Sequence, residues 1–294
     1  MEQKVDLLDT LKKIIILNNI KVIQLNEINF IGKIGEGGQA KVYKASYNNN
    51  IVAVKVMRNL DFKCFAHELV IIALLKHPNI PKFYGIVFEQ NIISLVFEFI
   101  DGKTLEKFDI KSFNLEQKYK IIYELSSILE YMHQNKSIHR DLKPENLMMT
   151  NNKIYLIDFG IAKVCTVGDS TNTRAKGTIN YLAPESFVPS GINEDEQIIS
   201  KITPKVDVWA FGCIVSWLFS GYIPWSNKYK DSKPIIQKAL MKKIPFVIPK
   251  EIENNLFVLK IVQLTTQIEP ENRPDMIHIK KLIEDECIKI GIQI

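Results

Sequence analysis

The stretch His139-Arg140-Asp141-Leu142-Lys143-Pro144-Glu145-Asn146-Leu147-Met148, with Asp158-Phe159-Gly160 downstream, decides how the rest of the chain is read. It places two carboxylates, Asp141 and Asp158, 17 residues apart. One can take a proton from a hydroxyl; the other can hold a metal. Between them Ile154-Tyr155-Leu156-Ile157 is a short apolar run of β type. Asp141 is therefore expected in a loop before a hairpin and Asp158 just after its second strand, so that both can reach one cleft.

Working outward, residues 5–17 carry Leu7, Leu8, Leu11, Ile14 and Ile15 at helical spacing. This predicts an extra helix, either packed on the domain or available to a partner. From about residue 28 the pattern turns to strands. Ile34-Gly35-Glu36-Gly37-Gly38-Gln39-Ala40-Lys41-Val42 lies between two of them, and Ile51-Val52-Ala53-Val54-Lys55-Val56 forms the next. Glycines between antiparallel strands let main-chain N–H groups approach a phosphate closely. A dinucleotide-binding reading would need a helix directly after the glycines, and Val42-Tyr43 argues against one. Lys55 is either a lysine reaching out from a sheet edge or a phosphate ligand. A helix is expected over 61–76, with Glu68 beside its apolar stripe, where by itself it reads as a solvated glutamate. Strands over 83–88 and 92–97 precede Glu98-Phe99-Ile100-Asp101-Gly102.

Helices follow. Asn114 and Gln117 have capping-box spacing. Asp207 is placed to N-cap an almost wholly apolar helix. Three more helices are expected near 234–242, 252–266 and 275–287.

The motif set resembles that of eukaryotic protein kinases: the Gly-rich loop with Ala40 at its third glycine position, Val-Ala-Val-Lys ending at Lys55, His-Arg-Asp, Asp-Phe-Gly, and Ala183-Pro184-Glu185. The resemblance covers residues 28–287. It implies an α+β, bilobal kinase fold: a β-rich N-lobe over 28–97 with one main helix, a hinge over 98–102, and a mostly helical C-lobe over 103–287. Residues 1–27 would be a helical extension and 288–294 a tail. It further implies ATP and Mg²⁺ as cofactors. ATP would be bound by Ile34, Gly35, Glu36, Gly37, Gly38, Gln39, Ala40, Val42, Ala53, Lys55, Glu68, Phe97, Glu98, Ile100, Met148 and Asp158. Of these, Lys55 would hold the α- and β-phosphates, oriented by Glu68; Phe97 would be the gatekeeper; main-chain groups at Glu98 and Ile100 would bond the adenine edge. Asp158 and Asn146 would hold the metal. Asp141 would be the base, with Lys143 beside the γ-phosphate.

Lys-Pro-Glu-Asn after His-Arg-Asp, with Gly177-Thr178 before Ala-Pro-Glu, resembles serine/threonine kinases, leaning toward their tyrosine-kinase-like group. The hydroxyl-rich segment before Ala183 is then an activation segment, with Thr173, Thr171, Ser170 and Thr178 as regulatory candidates. Arg140 would receive their phosphate, and Arg273 would pair with Glu185. An upstream activating kinase and serine/threonine protein substrates are the implied partners. A pseudokinase acting as a nucleotide-binding scaffold is the alternative, and Ala40 is the one motif departure in its favour.

The bulk numbers agree with this class. A chain of 294 residues can bury a large core or two lobes. The net charge of +5 comes without a dense basic patch, so nucleic acid is not an expected partner. Only four of the 38 basic residues are arginines; in so lysine-rich a chain arginine should persist where a planar, bidentate donor is needed, and two of the four, Arg140 and Arg273, fall where the resemblance asks for one. The four cysteines show no C-x-x-C spacing, and no apolar run reaches membrane-spanning length. A soluble, cytoplasmic protein is expected.

Overall fold

The computed structural model describes residues 2–37, 40–58, 62–89, 92–150, 153–158, 163–164, 178–186, 202–229 and 233–294; for 2–9, 62–64, 67 and 163–164 it describes the backbone alone. The chain divides into two compact units, residues 1–102 with 157–160, and 103–156 with 161–294.

The first unit opens with α1 (Glu2–Leu17) and the two-residue strand β1 (Val22–Ile23). β2 (Asn29–Glu36), β3 (Ala40–Tyr47), β4 (Asn50–Met57), helix α2 (Phe62–Leu74), β5 (Phe83–Glu89) and β6 (Ile92–Glu98) follow. The strands form one sheet in the order β1-β5-β6-β4-β3-β2. Alternation sets its faces. Val52 and Val54 of β4 join Ala45, Tyr47, Val87, Val96 and Ile23 in a buried cluster. Ala53 and Lys55 therefore point to the other face, since successive strand side chains alternate. Val42 lies opposite Lys55, and Phe97 opposite Ala53, so all four share that face. Burying each valine or isoleucine of the cluster contributes roughly 1.5–3 kcal/mol.

β1 was not expected. It pairs in parallel with β5, Val22 opposite Ile86 and Ile23 opposite Val87. The pairing depends on Gly85, at φ +151°, where a Cβ would lie 2.3 Å from the Lys21 carbonyl oxygen. Residues 2–27 thus belong to the first unit rather than standing apart from it.

The second unit contains β7 (Lys103–Thr104), α3 (Leu115–Gln134), β8 (Ser137–Ile138), β9 (Leu147–Thr150), β10 (Lys153–Leu156) and β11 (Lys163–Val164). Helices α4 (Lys205–Ser220), α5 (Ser226–Tyr229), α6 (Lys233–Met241), α7 (Leu256–Thr265) and α8 (Met276–Lys289) complete it. α3 starts with the expected capping box: Asn114 Oδ1 accepts the Gln117 N–H at 2.8 Å, and Gln117 Oε1 accepts the Asn114 N–H at 2.9 Å. β9 and β10 are the expected hairpin between the two aspartates. α4 is the core: Val208, Trp209, Phe211, Ile214, Val215 and Leu218 are all buried. Gly212 lets α7 approach it, because a Cβ there would meet Thr265 Oγ1 at 2.2 Å.

Two expectations need correcting. α7 begins at Leu256, capped by Asn255 Oδ1 on the Val258 N–H at 3.0 Å, after a separate 3₁₀ turn at Lys250–Ile252. Asp207 does not cap α4, which starts two residues earlier, after Pro204. Its carboxylate is used elsewhere, as described below.

Candidate active site

In the first unit, β4 presents Lys55 and α2 presents Glu68. Lys55 Nζ lies 3.0 Å from Glu68 Oε1 and 3.0 Å from Asp158 Oδ1. Glu68 is buried and Lys55 nearly so. Burial alone would lower the Lys55 pKa, but the two carboxylates outweigh it and raise it above the ordinary lysine value. The lysine is therefore a held, permanent cation.

Nearby, the Gly37 N–H donates to the Ala40 carbonyl at 2.9 Å, between the end of β2 and the start of β3. A Cβ at Gly37 would meet no protein atom within 4 Å, and one at Gly35 only Val42 at 3.7 Å. Packing within the protein thus does not demand these glycines, whereas a phosphate approaching the main chain would. The residues present fit a polyphosphate. Glu36 is held by Lys33 at 2.8 Å and Arg58 at 2.6 Å, while Ile34 is exposed on the edge strand.

At the end of the sheet, Phe97 packs against Phe83 with ring centroids 5.4 Å apart. The Glu98 N–H donates to the Lys82 carbonyl at 2.8 Å, and the Ile100 carbonyl accepts the Gly102 N–H at 3.1 Å. The Glu98 N–H is thus already engaged, while the Ile100 carbonyl keeps a second lone pair.

In the second unit the polar groups converge on Asp141. Its Oδ2 lies 2.9 Å from Lys143 Nζ and accepts from Asn146 Nδ2 at 3.2 Å; its Oδ1 accepts the Thr178 N–H at 3.1 Å. Lys143 Nζ also donates to Thr178 Oγ1 at 2.9 Å. Asn146 Nδ2 donates to the Asp141 carbonyl at 2.7 Å, so Oδ1 is the Asn146 atom that could face a cation. Asp141 Oδ1 accepts one bond among the described residues and keeps a second lone pair for an incoming hydroxyl. Thr178, grouped by sequence with the regulatory candidates, sits with its hydroxyl engaged in this cluster. Met148, on β9, lies opposite Tyr155 and Thr104.

Beneath the cluster is a feature that sequence reasoning missed. The buried Asp207 carboxylate accepts the main-chain N–H groups of His139 and Arg140, each at 2.9 Å, and lies 2.9 Å from His133 Nε2. Arg140 has φ +71°, a conformation that ordinary side chains rarely adopt, and the Asp207 bonds hold it. Burial would raise the Asp207 pKa, but these hydrogen bonds and the charge of His133 lower it below the usual carboxylate value. Arg273 Nη1 and Nη2 grip Glu185 at 2.6 and 2.9 Å, the expected bidentate pair. Three main-chain carbonyls, of Lys205, Gln267 and Ile268, accept its remaining N–H groups.

Gly38, Gln39, Phe159, Gly160, Ser170, Thr171, Thr173, Arg174 and the acidic run 193–196 lie outside the described residues. Among the described residues no group of three His, Cys, Asp or Glu side chains forms a metal cluster, and no helix is long and apolar enough to cross a membrane.

The protein kinase domain family model matches residues 28–284. A probable serine/threonine-protein kinase of Dictyostelium discoideum is 26% identical over 90% of this chain and 28% of its own length. An Aurora kinase of Eremothecium gossypii is 28% identical over 90% of this chain and 70% of its own length. A serine/threonine-protein kinase of Arabidopsis thaliana is 27% identical over 92% of this chain and 46% of its own length. The chain therefore spans less than half the length of two of these three relatives.

Proposed function

The chain belongs to the protein kinase family, and on that premise we propose that it is a catalytically competent serine/threonine kinase, transferring the γ-phosphate of ATP to protein hydroxyls. The observation that carries this reading is the ring of contacts joining Asp141, Lys143, Asn146 and Thr178. Phosphoryl transfer asks a protein mainly for positioning and charge stabilisation, and both groups of residues supply these. Asp141, oriented by three donors, aligns the attacking hydroxyl and accepts its proton at Oδ1. Lys143 offers its ammonium to the transferred group. Lys55, held charged by Glu68 and Asp158, binds the α- and β-phosphates. Val42 and Ala53, on the Lys55 face of the sheet, would cover one side of the adenine, with Phe97 beside them and main-chain groups at Glu98 and Ile100 bonding its edge. Asp158 and Asn146 are each candidate Mg²⁺ ligands, and the metal would neutralise charge on the phosphates.

Serine/threonine specificity rests on Lys143 and its bond to Thr178, and on the two relatives whose names carry that class. In this reading Ser170, Thr171 and Thr173 are phosphorylated by an upstream kinase, and Arg140 receives the charge. Cys213 and Cys287 are free thiols, which fits the reducing, cytoplasmic location of this reading. Ala40 is the observation that favours the second reading, a nucleotide-binding pseudokinase; it is buried within β3 and leaves Gly35 and Gly37 in place.

The test is transfer of label from γ-labelled ATP to a generic protein, followed by phosphoamino-acid analysis. Label on serine or threonine supports the proposal. Label on tyrosine alone, or none even after treatment with an upstream kinase, rejects it.

A further inference from the structure

Residues 2–23 lie outside the span matched by the family, which begins at 28, yet they contact α2, the helix that carries Glu68, and β5, in the sheet whose β4 carries Lys55. α1 packs on α2, the helix of Glu68. Its described part buries Leu11 and Ile15, one helical turn apart, and exposes Ile16 and Leu17. α1 then stops in a defined way. Asn19 takes φ +50°, the Ile20 N–H donates to the Ile15 carbonyl at 2.9 Å, and the Asn19 N–H donates to the Ile16 carbonyl at 3.1 Å. This is a Schellman stop, and Ile15 and Ile20, the pair expected to touch across it, are both buried. Asn18 Nδ2 adds a bond to the Ile14 carbonyl at 2.9 Å.

The chain leaves this stop directly into the sheet. The Lys21 carbonyl accepts the Ile86 N–H at 2.9 Å, β1 pairs with β5, and Ile23 enters the core cluster. Three residues, 18–20, separate a helix fixed on α2 from a carbonyl fixed on the sheet. So short a connection leaves α1 little freedom to shift relative to β5. Because the sheet also contains β4, the same segment links the sheet bearing Lys55 to the helix bearing Glu68.

We infer that residues 2–23 form a strap that holds α2 against the sheet at the position where Glu68 reaches Lys55, with Leu11 and Ile15 as positioning residues for phosphate binding. The strap rests on the kinase reading above for its effect on catalysis, but not for its effect on α2.

The test compares the full chain with Leu11→Ala/Ile15→Ala, in the wild-type and Glu68→Gln backgrounds. Ile283→Ala, a buried site in α8 of the second unit, controls for general destabilisation. Hydrogen exchange is followed over 62–74 and 92–98, and kcat is measured with Mg-ATP and a generic substrate. The strap predicts exchange over 62–74 faster by about tenfold, with 92–98 little changed, because α2 alone is released. It predicts that kcat falls about tenfold in the wild-type background but less than about twofold with Glu68→Gln, where the pair is already broken. The Ile283→Ala control should show neither effect. Unchanged exchange over 62–74, or an equal kcat loss in both backgrounds, overturns the strap. Should the double variant fail to fold, Ile15→Val is read by the same exchange criterion. Should the unaltered chain transfer no phosphate, the kinase proposal falls, and exchange alone decides the strap.

Discussion

The Asp207 carboxylate holds the main-chain N–H of Arg140 at 2.9 Å, from 67 positions further along the chain. Together with its bond to the His139 N–H, this fixes the backbone immediately before Asp141. Asp207→Asn would turn an amide nitrogen toward one of the three donors and lose that bond. The expected outcome is a kcat lower by about 10- to 100-fold with a smaller change in KM, since misplacement without direct contact costs rate. The pH dependence has a definite sign. The Asp207 pKa is depressed below 3.8 in the folded chain. Its contribution to stability is therefore fully present above about pH 4 and is lost as pH falls through the depressed value. Acid melting curves of the variant should show a correspondingly weaker loss in that window.

Lys55 neutralises a buried glutamate. Lys55→Met would leave Glu68 buried without its cation, a change that costs about 3–5 kcal/mol when a buried pair is broken on one side. Adding Glu68→Leu should recover most of that stability while activity stays lost. Denaturant unfolding of the two singles and the double gives the coupling directly. Because the Lys55 pKa is raised, the pair's contribution is fully present below pH 10.5 and fades only as pH rises toward the raised value.

Arg273 is buried with every nitrogen engaged, and its guanidinium lies 5.0 Å from the Trp209 ring centroid. Arg273→Ala should lower the melting temperature by roughly 6–12 °C, from a broken buried pair in a domain of this size. Lysine cannot reproduce the fork, so Arg273→Lys should rescue little of the loss. Thermal scans of both variants check this.

Phe97 lies beside Phe83 on the Lys55 face of the sheet. If it bounds the adenine pocket, Phe97→Gly should bind ATP-site inhibitors with bulky aromatic groups at least about tenfold more tightly than wild type, equivalent to ~1.4 kcal/mol. Equal affinities would remove the gatekeeper role.

Much of this was legible in the residues because the signals were local. Alternation over Val52–Lys55 marked β4, the Asn114–Gln117 spacing marked the start of α3, and the scarcity of arginine drew attention to Arg273, whose partner Glu185, 88 residues away, came only from the resemblance to protein kinases. What escaped was non-local. β1 has two residues, too few for a period, and is defined by a carbonyl at Lys21 and a glycine at 85. Asp207 read as a cap because acid at a helix start is a local pattern. Its actual donors, at His133, His139 and Arg140, are about 70 residues away, and no spacing rule reaches that far. Thr178 stood by sequence among the regulatory candidates, and its hydroxyl's partner, Lys143, is invisible until the fold brings it near.

The most direct test of the central claim is Asp141→Asn, which keeps the size of the side chain and removes the base. Mg-ATP affinity is measured by calorimetry and phosphotransfer by label from γ-labelled ATP, on the same preparations. The account predicts ATP affinity within about threefold of wild type and transfer slower by at least about 100-fold, the scale of a lost general base. Equal transfer rates in the two proteins, or a wild type that binds Mg-ATP and transfers nothing, would contradict it.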